Sequence, residues 1–180
     1  MKKNLVKEIE IPSGIEIKIE NEMVTVKGPE GINRRKFIVG RVDIKMKDNK
    51  ILISFEKATK NDKKIINTTN AHIKNMIRGV QRKFEYRLKV CFSHFPITVE
   101  IGDKEAKIKN FLGEKVPRVM KIPENVSVKL NKEYVEVVSC DKEVAGKVAA
   151  DFEKVTRIRN RDRRVFQDGI FITTKDGREI

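Results

Sequence analysis

Ile11-Pro12-Ser13-Gly14-Ile15-Glu16-Ile17-Lys18-Ile19 and Ile122-Pro123-Glu124-Asn125-Val126-Ser127-Val128-Lys129-Leu130 are the two stretches that decide the fold. An Ile-Pro start, turn-forming residues and three alternating aliphatics recur 111 positions further on. The match continues from Glu22-Met23-Val24-Thr25-Val26 into Glu133-Tyr134-Val135-Glu136-Val137 at the same offset. Alternation with period two makes each segment a half-buried strand, with short hairpin turns at Asn21-Glu22 and at Asn131-Lys132. A chance likeness between generic hairpins is the competing explanation. The shared Ile-Pro start and a helical pattern downstream of both copies argue against it.

The first of those patterns is Ala71, Ile73, Met76, Ile77, Val80 and Phe84; the second is Val144, Ala145, Val148, Ala149, Phe152 and Val155, with an N-cap at Asp141. Each is the apolar stripe of a helix lying on a sheet. Further strand signals fall at 36–39, 42–46 and 51–55 in the first copy, and at 85–92, 97–101 and 106–111 in the second. The expected class is therefore α+β, with two tandem duplicated domains. Each domain is an antiparallel sheet with one principal helix packed on one face. The first repeat spans 1–83 and the second 84–180, the latter with a basic extension and a short, loose polar tail after Thr174.

The chain has 180 residues and 37% of them are charged, against about 25% in an average soluble protein. Lys and Arg number 40 against 26 Asp and Glu, a formal charge of +14. No run of apolar residues exceeds three, far short of the roughly 20 that a transmembrane helix needs. No apolar region follows Met1-Lys2-Lys3, so a signal peptide is not expected. Cys91 and Cys140 form no CxxC pair and fit a reducing compartment. These features describe a cytosolic binder of polyanions.

The charge is uneven. In the second repeat it concentrates in Lys154–Arg164, which holds Lys154, Arg157, Arg159, Arg161, Arg163 and Arg164 against the single acid Asp162. Guanidiniums so crowded repel one another unless an anion lies among them, and their forked donors suit phosphate. Scattered lysines on strands can serve solubility alone, but this cluster reads as a binding loop. Asp162 would order its neighbours, and Phe166 would anchor the loop to the domain or stack on a base. Gly169 reads as the turn into a final edge strand.

Other chemistry finds little support. Gly113-Glu114-Lys115 lacks the rest of a phosphate-binding P-loop. Gly28-Pro29-Glu30-Gly31 spells the loop of a KH domain but follows a strand, so it reads as a plain turn. Arg34-Arg35-Lys36-Phe37 does not match an RRM motif. Ser93 and His94 are adjacent and define no triad, and His94 before Phe95-Pro96 reads as a turn residue. Two histidines leave most metal sites without ligands, so no metal, no cofactor and no catalytic residue is expected.

His94-Phe95-Pro96, Ile108-Lys109-Asn110-Phe111-Leu112-Gly113-Glu114-Lys115 and Arg163-Arg164-Val165-Phe166-Gln167-Asp168-Gly169-Ile170 together resemble the large-subunit ribosomal protein L-six family, in its archaeal/eukaryotic branch. Val26-Lys27-Gly28-Pro29-Glu30-Gly31 and Asn75-Met76-Ile77-Arg78-Gly79-Val80 add to the likeness, which runs in order along nearly the whole chain and looks more archaeal than eukaryotic. The resemblance implies two domains of one α+β fold. It also implies a structural, non-enzymatic place in the cytoplasmic ribosome, on the large (23S-type) rRNA. The position implied is near the base of the acidic stalk, among neighbouring ribosomal proteins and close to where translation factors dock. It would give rRNA contacts to Arg157, Arg159, Arg161, Arg163 and Arg164, joined by Lys154, Phe166, Lys109, Asn110 and Lys115. The rivals are an extra-ribosomal RNA-binding module or regulator, and a basic metal-dependent nuclease, against which the lack of clustered carboxylates counts. No membrane partner is expected.

Overall fold

The computed structural model describes residues 3–20, 22–37, 43–47 and 49–180. The chain divides into two compact units, Met1–Lys83 and Phe84–Ile180. Asn21 of the first expected turn, Val42, Arg41 and the end of the expected 36–39 strand lie outside the described residues.

In the first unit β1 (Lys3–Glu10), β6 (Lys50–Ala58) and β5 (Asp43–Lys47) form an antiparallel sheet in the order β1-β6-β5. A second antiparallel sheet holds β2 (Glu16–Glu20), β3 (Met23–Gly28) and β4 (Gly31–Lys36) in sequential order. Alternation sends Ile17, Val24 and Val26 inward from one sheet and Ile9, Ile51 and Ile53 inward from the other. Helix α1 (Lys60–Gln81) packs on both, burying Ile66, Ile73, Met76, Ile77 and Val80. Its start is fixed by a capping box: Asp62 N–H donates to Thr59 Oγ1, and Thr59 N–H donates back to Asp62 Oδ2 at 2.8 Å. Its C-terminal end carries the Gly28–Gly31 turn, whose Glu30 N–H donates to the Val80 carbonyl at 3.0 Å. A Cβ on Gly28 would come within 2.9 Å of both Val80 Cγ2 and Val80 O, so only glycine fits there.

In the second unit β8 (Thr98–Ile101), β9 (Glu105–Lys109) and β10 (Arg118–Lys121) form a small antiparallel sheet. A five-stranded antiparallel sheet has the order β11 (Ser127–Asn131), β12 (Tyr134–Ser139), β7 (Phe84–Cys91), β13 (Gly169–Lys175), β14 (Arg178–Glu179). Helix α2 (Lys142–Val155) starts at Asp141, whose carboxylate accepts from Glu143 N–H at 2.8 Å. It buries Ala145, Val148, Ala149 and Phe152 against a core that includes Phe84, Leu88, Ile108, Phe111, Val135, Val137 and Ile170.

The duplicated α+β class therefore holds, and the repeated hairpin holds residue by residue. Ile17 faces Val26 as Val128 faces Val137, and Glu20 faces Met23 as Asn131 faces Tyr134. Each unit, however, divides its strands between two sheets rather than one. Four local expectations are corrected. Phe84 continues the helical stripe numerically from Val80, but α1 ends at Gln81 and Phe84 opens β7. The second hairpin turns at Lys132-Glu133, where Lys132 has φ +55°. Strand β13 is no edge strand, since it lies between β7 and β14. The segment after Thr174 is not loose: Lys175 pairs with Arg178 around Asp176-Gly177, at φ +53° and +79°, the left-handed pair that tight hairpins favour.

Candidate nucleic-acid interface

The segment from Thr156 to Asp168 leaves the end of α2 and returns to β13, and it is held at both ends. At its start the Arg118 guanidinium donates to the carbonyls of Val155 at 2.6 Å and Arg157 at 3.2 Å. Arg118 is itself fixed by Glu114 at 2.8 Å and lies 4.3 Å from the centre of the Phe111 ring. The Arg118 hydrogen bond, with help from Arg118 and Arg161 charge and against some burial, holds the Glu114 carboxyl below its ordinary value. Thr156, buried, bridges helix and strand: its hydroxyl donates to Phe152 O at 3.0 Å and accepts from Ile170 N–H at 3.0 Å.

At the far end Asp168, 1% exposed, receives the turn at Ser93-His94. Its carboxylate accepts from the Ser93 N–H at 3.3 Å, the His94 N–H at 3.2 Å, the Ser93 hydroxyl at 2.9 Å and the His94 ring at 2.9 Å. Burial alone would raise the Asp168 carboxyl. The bonds from His94 and Ser93 outweigh it and hold the group below the ordinary carboxylate range. Serine, histidine and aspartate meet here, yet the arrangement is not a nucleophilic triad. Ser93 Oγ and Asp168 Oδ1 both approach the same imidazole nitrogen, Nδ1, at 3.0 and 2.9 Å, so the ring cannot relay a proton between them. The cluster is a fastening.

Between the two anchors the arginines differ. Phe166 stacks on the His94 ring at 4.7 Å between centres, and the Arg161 guanidinium lies 4.8 Å from the centre of the Phe166 ring. Arg164 pairs with Asp162 at 3.1 Å and donates its backbone N–H to the same carboxylate at 2.9 Å, which lowers the Asp162 carboxyl. Arg157, Arg159 and Arg163 are exposed, and among the described residues no carboxylate pairs with them. Of the residues outside the loop, Lys154 pairs with Asp151 at 3.4 Å and Lys109 with Glu100 at 2.6 Å. Asn110, left-handed at φ +59°, spends its amide on Pro96 O at 3.0 Å. Lys115 is exposed on the turn that follows. The structure thus brings the five arginines and Phe166 into one loop, while Lys109 and Lys154 each already face a carboxylate.

The sequence alone gives Ser93, Asp168, Glu114 and Arg118 no part in holding the loop. Asp168 was the one with a signal, a carboxylate between apolar neighbours at Phe166 and Ile170, but its partners lie 74 and 75 positions away.

A sequence model of the family described as Ribosomal protein L6 matches residues 11–83 and 95–169. The chain belongs to the ribosomal protein L6 family. The Large ribosomal subunit protein uL6 of Methanobrevibacter smithii is 44% identical over 169 residues, covering 94% of this chain and 95% of that protein. The protein of the same name in Methanothrix thermoacetophila is 42% identical over 175 residues, with 97% and 99% covered. That of Nanoarchaeum equitans is 43% identical over 181 residues, with 96% and 94% covered. The two L6 matches fall one in each compact unit, and the second includes the whole arginine loop through Asp168.

Proposed function

We propose that this chain binds and stabilises the large-subunit rRNA through the Thr156–Asp168 loop, near the base of the acidic stalk and the factor-binding region. As an L6-family member it is a structural protein of the large subunit of the cytoplasmic ribosome, acting in translation. The observation that carries the finer reading is the set of three exposed arginines, Arg157, Arg159 and Arg163, without carboxylate partners among the described residues, on a loop fixed at both ends. Phosphate contacts supply most of the affinity in such complexes, and a loop already ordered loses little entropy on binding. The contacts would follow RNA shape, because side chains cannot read the narrow major groove of A-form helices. Location near the stalk, among its neighbouring proteins, is supported by family resemblance, and the role is non-catalytic.

The test is rRNA binding across a salt series. Replacing Arg157, Arg159 and Arg163 together by Ala should lower the slope of log K against log salt by about two to three. An unchanged slope would place the RNA contact elsewhere. For the rival extra-ribosomal role, salt-resistant sedimentation of the tagged protein with large subunits decides, since a regulator would run free.

A further inference from the structure

Beside the arginine loop lies a solvent-open groove of about 600 Å³, lined by Cys91, Arg157, Ile158, Arg163, Phe166 and Phe171. Its size falls in the range of small-ligand sites. Phe171, on β13, is 45% exposed, a large aromatic face left to solvent. Its ring folds back over Gly169, where a Cβ would meet the ring at 2.9 Å, so the glycine makes the seat in which the ring lies. The carboxylates nearby are turned to other work: Glu153 accepts from the Ile172 N–H at 2.9 Å, and Asp168 is filled by Ser93 and His94. Arg157 and Arg163 therefore give the groove a positive lining beside an apolar one. Phe166 is engaged by His94 and Arg161, which leaves Phe171 as the ring free to stack.

We propose that this groove receives one unstacked nucleobase of the bound RNA, with the base on Phe171 and its flanking phosphates on Arg157 and Arg163. Every base offers a π-face to an aromatic ring, and an Arg beside that ring suits the adjoining phosphate. The inference rests on the rRNA-binding reading above and adds to it a contact, the Phe171 ring, that carries no charge of its own.

That difference in charge supplies the test. Binding of the full chain to transcribed large-subunit rRNA is measured across salt for Phe171→Ala, Phe171→Leu, Arg157→Ala and Arg163→Ala. Both Phe171 variants should weaken binding roughly ten- to hundredfold with an unchanged salt slope, while each arginine variant lowers the slope by about one. If Phe171→Leu binds as the unaltered chain does, the groove holds generic apolar contact and the stacking proposal falls. If the arginine variants act and Phe171→Ala does not, the base site falls while the rRNA reading stands. If none acts, the loop is not the RNA contact and both fall. Should a Phe171 variant fail to fold, the unaltered chain decides through photocrosslinking to rRNA transcribed with 4-thiouridine. A crosslink at Cys91 or within 169–174 supports the site, and crosslinks confined to other peptides overturn it.

Discussion

Asp168 closes its own loop by holding a turn, Ser93-His94, more than seventy positions away. Its buried carboxylate accepts four hydrogen bonds, so Asp168→Asn would remove the charge and replace one acceptor oxygen by an N–H₂ that the Ser93 and His94 backbone N–H groups cannot satisfy. The expected cost is about 1–3 kcal/mol, read as a lowered melting midpoint, with the Ser93-His94 turn gaining hydrogen exchange. A variant that melts as the parent does would mean the cluster is dispensable. The pH dependence has a definite sign. A carboxyl whose folded value is depressed contributes stability above its unfolded value, about 3.9 for aspartate, and that contribution disappears as pH falls through the lower folded value. The parent should therefore lose stability on acidification below about pH 4 more steeply than Asp168→Asn does. Parallel acid curves would show that the carboxylate charge is not what the donors stabilise.

At the scale of elements, the Gly28–Gly31 turn fits tightly against the end of α1. Gly28→Ala would force the turn away from Val80, against both its side chain and its carbonyl, at a cost of about 1–3 kcal/mol. Denaturant unfolding checks this, and a shift under about 0.5 kcal/mol, the level of an ordinary surface change, would show that the contact can relax. Strands and α2 were legible because alternation and a capped helical stripe are local signals, as Val135, Val137 and Asp141 illustrate. The first three turns of α1 were not: between Lys60 and Asn70 only Ile65 and Ile66 are aliphatic, so its capping box at Thr59 and Asp62 is the stronger mark. The Asp176-Gly177 hairpin is hidden in the sequence because its polar flanks mimic a tail. The arginine loop was legible as charge. Which of its arginines are spoken for was legible for Arg164, beside Asp162, but not for Arg161, which lies on the Phe166 ring that tertiary folding stacks on His94.

Across the whole molecule, each unit carries a core of its own, so damage to one can be followed separately. Ile17→Asp would put a charge into the core that holds Val24, Val26 and Ile53, at about 3 kcal/mol or more, and should strip hydrogen-exchange protection from the described residues of the first unit. Retained protection there would defeat the inward placement of Ile17. Strand β13 carries a different consequence, one for the order in which the chain folds. It pairs with β7 across roughly eighty intervening residues, whereas most pairs of the first unit are hairpins between neighbours. Closing so long a loop delays folding, so the second unit should complete after the first. The chain reports this itself. It has no tryptophan, and its two tyrosines, Tyr86 on β7 and Tyr134 on β12, both belong to the later unit. During refolding the tyrosine emission should trail the far-ultraviolet dichroism, and simultaneous signals would mean that the two units close as one.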